Sequence, residues 1–120
     1  MSGQEPQYDL EERTALFGES IIDFAKTIPV NLVTTPLISQ IVRSGTSVGA
    51  NYAEADNSTS KRDFRYRVRI CQREAKETKH WLRMIARAEP QLRDAARPRW
   101  QEAKELVLIF SAILRRCKDQ

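Results

Sequence analysis

The longest periodic pattern in this chain lies between residues 60 and 88. Apolar and small residues return there at alternating four- and three-residue steps, which keeps them on one side of an α-helix. This seam consists of Phe64, Val68, Cys71, Ala75, Thr78, Leu82 and Ile85. No segment of the chain alternates apolar and polar residues with the period of two that half-buried strands show. The pattern therefore predicts a long helix that packs against other helices.

Three further helices are expected from shorter patterns of the same kind. The first runs from about Asp9 to Ile28 and is ended by Pro29, because proline interrupts helical hydrogen bonding. The second starts near Pro36, since proline suits the first turn of a helix. The fourth starts near Arg99. Four amphipathic helices with short connections predict an all-α fold, an antiparallel four-helix bundle with up-down-up-down topology.

The connections and the chain length complete this expectation. Residues 89–98 contain Pro90 and Pro98 and are expected to separate the third and fourth helices. A chain of 120 residues makes one domain, and residues 1–8 are expected to form a flexible N-terminal arm. No apolar run approaches the ~20 residues that cross a bilayer, and the start of the chain is polar and acidic. A cytoplasmic protein with no membrane partner is therefore expected.

Small and polar residues crowd the middle of the second helix. Gly45 and Gly49 lie one turn apart on one face, although each mid-helix glycine costs roughly 1 kcal/mol relative to alanine. That cost is explained if another helix packs very close to this face, from the same bundle or from a second subunit. Ser44, Ser47 and Asn51 are expected to form hydrogen bonds across the same contact, as buried polar groups must.

The charge of the chain is uneven, although its net value is only +4. Residues 1–36 carry six acidic and two basic residues, whereas residues 61–87 carry ten basic and three acidic ones. Most cations of the third helix share a narrow sector opposite its apolar seam. Arginine dominates this sector, and guanidinium groups suit bidentate contacts with phosphate. The predicted nucleic-acid-binding residues are Arg62, Arg65, Arg69, Arg73, Lys76, Arg83 and Arg87, and His80 lies in the same sector.

Three interpretations of this basic sector remain open. It can bind the phosphate backbone of RNA or DNA, pair with the acidic first helix of another subunit, or be an idle solvated surface. Tyr66 and Trp81 are too few to form a stacking platform, and no base-reading motif is present. Any nucleic-acid binding is therefore expected to follow the backbone and to weaken with salt.

Candidates for catalysis or metal binding are sparse. His80 is the only histidine and is expected to be exposed, and the two cysteines, Cys71 and Cys117, are expected to be reduced and buried. Glu54, Glu74 and Glu77 are the best set of carboxylates, but salt bridges to arginine explain Glu74 and Glu77 more simply. A non-enzymatic protein without metal or cofactor is therefore expected.

One segment resembles a known family signature. In the stretch RSGTSVGANYAEA, the matching positions are Arg43, Ser44, Ser47, Val48, Asn51, Ala53 and Glu54. They resemble the motif of the 23S rRNA-intervening-sequence protein family, also called the S23 family. The chain departs from the usual family pattern at Gly45, Tyr52, Ala55, Cys71 and Glu74.

The resemblance carries expectations of its own. It implies a left-handed four-helix bundle that assembles into a ring-like homo-oligomer, with five subunits as the expected number. Together with the glycines of the second helix, the motif is expected to serve helix packing: Arg43, Ser44, Gly45, Ser47, Gly49, Asn51 and Glu54. A biochemical function is undefined for most members of the family.

Overall fold

Four α-helices make up the fold in the computed structural model, which describes residues 9–117. They are α1 (Leu10–Ala25), α2 (Thr34–Asp56), α3 (Lys61–Ala88) and α4 (Arg93–Cys117). A short 3₁₀ turn, Pro90–Leu92, joins α3 to α4, and no strand occurs among the described residues. The predicted all-α fold with four helices is confirmed. The arm predicted at residues 1–8 lies outside the described residues.

Side-chain caps fix the start of α1 and α3. Asp9 accepts a hydrogen bond from the amide of Glu12 at 3.1 Å, and Ser60 accepts one from the amide of Asp63 at 3.0 Å. Such caps satisfy amides that have no partner within the helix. Ahead of α2, Asn31 accepts from the amide of Thr34 at 3.0 Å, and this helix begins at Thr34, two residues before the predicted start. The C-terminal end of α1 lies at Ala25, three residues before the predicted end at Ile28.

The predicted start of α4 near Arg99 is wrong, because the helix begins at Arg93 and contains Pro98. Proline removes only one amide, which would have bonded the carbonyl of Asp94. That residue lies in the first turn and is exposed, so water can bond its carbonyl instead. The proline is therefore tolerated close to the helix start, and six residues expected in a connection become helical.

Neighbouring helices run antiparallel where they touch, because residue numbers rise along one helix as they fall along its partner. The contacts are Thr14–Gly49 and Ile21–Gly45 (α1–α2), Ser44–Thr78 and Asn51–Arg67 (α2–α3), Arg65–Leu114 and Gln72–Ser111 (α3–α4), and Arg13–Glu102 and Ser20–Arg99 (α1–α4). These directions are compatible with a four-helix bundle, whose up-down-up-down topology stays a prediction. Its left-handed twist stays a prediction.

The two mid-helix glycines of α2 face α1 of the same chain. A Cβ atom on Gly45 would lie 2.8 Å from Ile21 Cγ2, and one on Gly49 would lie 3.2 Å from the carbonyl oxygen of Thr14. Cβ atoms in proteins avoid contacts as short as 2.8 Å, and a contact of 3.2 Å with a backbone atom is tight. Alanine at either position would therefore push α1 and α2 apart, which accounts for the cost of glycine in mid-helix.

Replacing Gly45 by alanine is expected to lower the free energy of unfolding by about 1–3 kcal/mol, because the added methyl overlaps the buried Ile21. Gly18, across the same interface, is the matched control. Its Cβ would lie 3.5 Å from the nearest atoms, an ordinary contact distance. The higher helix propensity of alanine, up to ~1 kcal/mol, should then make G18A neutral or stabilising. Urea unfolding measures both, and equal changes would contradict the close contact.

The two cysteines are free thiols in different environments. Cys71 is fully buried and lies 3.5 Å from the carbonyl oxygen of Val48, whereas Cys117 is half-buried. Desolvation by burial raises the pKa of the Cys71 thiol from 9.0 to about 12. The folded state therefore holds this thiol in its neutral form where the unfolded chain would ionise.

The raised pKa of Cys71 predicts an alkaline loss of stability. Its contribution is complete below pH 9.0 and falls as the pH rises toward about 12, because only the unfolded chain ionises in that interval. At pH 10 the loss should be about 1.4 kcal/mol. Urea unfolding at pH 8 and pH 10 measures it, with C71A as the reference that lacks this thiol. A pH dependence that is the same in C71A and the natural chain would refute the assignment.

Candidate nucleic-acid interface

The solvent side of α3 carries a continuous row of cations. We name as the basic face the exposed residues Arg62, Arg69, Arg73, Lys76, His80, Arg83 and Arg87. They lie opposite the buried side of the helix, where Val68, Cys71 and Ile85 are fully buried. At 1.5 Å per residue the basic face extends over about 37 Å. Its length and its sign make it the largest charged feature that the helix presents.

Arg65 was predicted with this group, but the structure gives it another role. The residue is half-buried, and its Nη1 donates to the carbonyl oxygen of Leu114 at 2.9 Å. That carbonyl belongs to the last turn of α4, where carbonyls have no partner within the helix. Arg65 therefore holds the end of α4 against the start of α3.

The acidic residues Glu74 and Glu77, near the middle of α3, lie away from the basic face. Glu74 is only 8% exposed, and its carboxylate is 3.0 Å from Nη1 of Arg43 on α2. Glu77 pairs with the same guanidinium. The carboxylates considered for catalysis thus form salt bridges with Arg43, as the sequence favoured, while Glu54 is exposed on α2. Arg43 of α2 therefore pairs with both glutamates on a side of α3 away from the cations of the basic face.

No ion pair within residues 9–117 involves the basic face. The salt bridges found there join Arg13 of α1 to Glu102 and Glu105 of α4, and Arg43 to the two glutamates of α3. Cations without acidic partners create a positive potential that attracts polyanions and increases their rate of association. The basic face is therefore open to an external anion.

An aromatic ring interrupts the N-terminal half of the basic face. Tyr66 is 60% exposed and lies between two shallow depressions of about 370 and 260 Å³. The first is lined by Arg62, Arg65 and Arg69, and the second by Arg69, Arg73 and Lys76, each together with the tyrosine. Cationic groups and an aromatic surface thus occur side by side.

The polar residues of the family motif were expected to form hydrogen bonds across the contact that the glycines make. This expectation is wrong. The hydroxyl of Ser44 lies 2.9 Å from that of Thr78 on α3, and Asn51 accepts a hydrogen bond from Arg67 at 3.2 Å. Ser47 donates within α2, to a carbonyl one turn earlier. Adjacent helical residues point about 100° apart, so the glycines contact α1 while Ser44 and Asn51 contact α3. The motif therefore packs α2 against α1 through its glycines and hydrogen-bonds α2 to α3 through Ser44 and Asn51.

Three residues near the basic face escaped the sequence analysis. Arg93, Arg97 and Trp100 line a groove between α3 and α4 together with Arg83 of the basic face. The two arginines had been assigned to a connection because Pro98 was expected to break the helix. Their spacing of four residues, and that of Ala96 and Trp100, was the signal that could have found them.

Metal sites and membrane spans were also sought. In residues 9–117, no cluster of three or more His, Cys, Asp or Glu side chains could hold a metal ion. His80 is exposed, and its ring meets that of Trp81 edge-on with centroids 4.9 Å apart. Within the described part of the chain, no helix combines the length and the apolar character that crossing a membrane requires.

Comparison with known proteins agrees with the motif and the fold. A model of the 23S rRNA-intervening sequence protein family matches residues 7–110. The chain belongs to this family. A solved structure with 30% sequence identity and a TM-score of 0.75 covers 87% of this chain and 96% of its own. It is a protein with unknown function from the S23 ribosomal protein family of Bacteroides thetaiotaomicron. No protein of curated function matches the chain significantly.

In this family member, removing Arg43 should destabilise the fold because it leaves the mostly buried Glu74 without its cation. We expect R43A to lower the free energy of unfolding by about 1 kcal/mol, a value reduced by the partial exposure of the arginine. In an E74Q background the same substitution should cost less, since no buried carboxylate is stranded. Urea unfolding of the four proteins gives the coupling, and a cost of R43A that does not depend on residue 74 would rule it out.

Proposed function

We propose that this protein is a non-enzymatic homo-oligomer that binds the phosphate backbone of RNA or DNA through the basic face of α3. One observation carries the proposal. Six arginine and lysine side chains are exposed along about 37 Å of one helix, and none of them has a carboxylate within 4 Å among the described residues.

The chemistry of this surface suits a polyanion. Arginine holds phosphate with two parallel hydrogen bonds, and each neutralised phosphate releases condensed counterions. Such contacts carry no sequence information, so binding should tolerate many sequences. The affinity should depend steeply on salt.

Assembly into an oligomer would strengthen this binding. The family resemblance favours a ring of five subunits, and exposed apolar residues on α1 and α4 favour a contact between copies. Leu16 is 52% exposed, Ile22 41% and Leu108 59%. Each copy would add a further basic face, so weak contacts along one strand would multiply through effective concentration.

Reversing three charges at the centre of the basic face tests the proposal. The variant R69E/R73E/K76E should bind a labelled oligonucleotide about 100-fold more weakly, because three phosphate contacts become repulsive. The matched control, K26E/R115E/R116E, makes the same change in net charge at exposed cations outside the basic face. Fluorescence anisotropy gives both affinities, and circular dichroism checks that both variants remain folded. Equal losses in the two variants would refute a specific role for the face.

A second candidate function has support from the surface of α1. This helix exposes Glu11, Glu12, Glu19 and Asp23, so its acidic side could pair with the basic face of another copy. The protein would then be an interaction module with no nucleic-acid ligand. That alternative predicts oligomers that dissociate at high salt and purified protein free of nucleic acid. Sizing at low and high salt, with the 260/280 nm absorbance ratio, separates the two functions.

A further inference from the structure

A groove of about 390 Å³ lies between the end of α3 and the first turns of α4. Its lining combines an apolar floor with a basic rim. The floor includes Leu82, Ala86 and Ala96, and the rim carries Arg83, Arg93 and Arg97. The volume falls within the roughly 300–1,000 Å³ that small-molecule sites occupy.

The rim is unusual because three exposed arginines converge on one opening. Arg83, Arg93 and Arg97 form no salt bridge with any carboxylate in residues 9–117. Like charges held around an apolar surface repel one another unless an anion lies between them. The complementary ligand therefore has a flat apolar body and an anionic group at its edge.

Trp100 supplies an aromatic wall to the same groove. Its ring lies 4.8 Å from the ammonium group of Lys79 and 5.7 Å from that of Lys104, measured to the ring centroid. These cation–π contacts hold the indole in place and add positive charge beside the opening. A nucleobase can pack on the apolar floor beside this ring, whose faces the two ammonium groups already approach.

Arg83 links the groove to the basic face, since it belongs to both. A strand whose phosphates follow α3 would arrive at the groove in the direction from Arg73 to Arg83. A base that is paired within a duplex cannot leave its stack without a cost in free energy. The groove is therefore suited to a strand whose bases are already free.

We propose that this groove binds one unpaired nucleobase of a single-stranded segment, with the adjoining phosphate bound by Arg93 and Arg97. The proposal rests on the proposed function and makes it more specific, because it names single-stranded nucleic acid as the preferred ligand. The basic face binds the backbone of either form, and the groove adds affinity for the single strand alone.

Filling the groove without changing its charge tests this preference. A86L adds apolar atoms to the floor, whereas A50L makes the same change at an exposed site on α2. A86L should weaken binding of a single-stranded 20-nucleotide oligomer about tenfold and leave binding of the matching duplex unchanged. A50L should change neither affinity. Equal affinity of A86L and the natural chain for the single strand would overturn the proposal.

A small probe tests the groove independently of the basic face. The chain has two tryptophans, so W81F leaves Trp100 as the only one. A nucleoside monophosphate should quench its fluorescence with saturation, and adding R93E and R97E should abolish the effect. No quenching, or equal quenching by inorganic phosphate, would overturn the groove proposal. Saturable quenching without binding of any oligonucleotide would refute both the proposed function and the single-strand preference, and would leave the groove as a site for a free nucleotide.

Discussion

The burial of one side of α3 determines where every charge on that helix lies. Val68 and Ile85 are fully buried, so the opposite side must face water. The acidic residues Glu74 and Glu77 flank the buried side and reach Arg43 on α2. The cations are left on the solvent side, with no carboxylate of the described residues within 4 Å of them. An ordinary requirement of helix packing thus produces a surface that suits phosphate.

The position of α2 between α1 and α3 supports this arrangement. Its glycines allow α1 to approach to the distance of a backbone contact, while Ser44 and Asn51 bond α3 from the other side. The contacts with α1 and with α3 lie on different sides of α2. The glycines that face α1 and the polar residues that face α3 are therefore interspersed along its sequence. The register between α2 and α3 then places Arg43 within reach of Glu74. The family motif is thus an element of packing whose effect on charge is indirect.

Much of this structure could be predicted from the sequence, and the failures have physical causes. The apolar seam and the Ser60 cap placed α3 within a residue of its observed start, because both signals are local. The start of α4 was missed because the effect of Pro98 depends on its distance from the helix end. The partner of Arg65 lies 49 residues away and follows from tertiary packing alone. The groove was missed for both reasons, since it needs Arg93 in a helix and α4 beside α3.

The salt dependence of oligonucleotide binding tests most directly whether α3 binds phosphate. With up to six exposed arginine and lysine side chains engaged, the logarithm of the affinity should fall linearly with the logarithm of salt concentration. The expected slope is about −4 for a single strand. Isothermal titration calorimetry or fluorescence anisotropy, repeated at salt concentrations between about 50 and 200 mM, covers the useful range. A slope near −4 would support the basic face as the binding surface, and a slope near zero would contradict it.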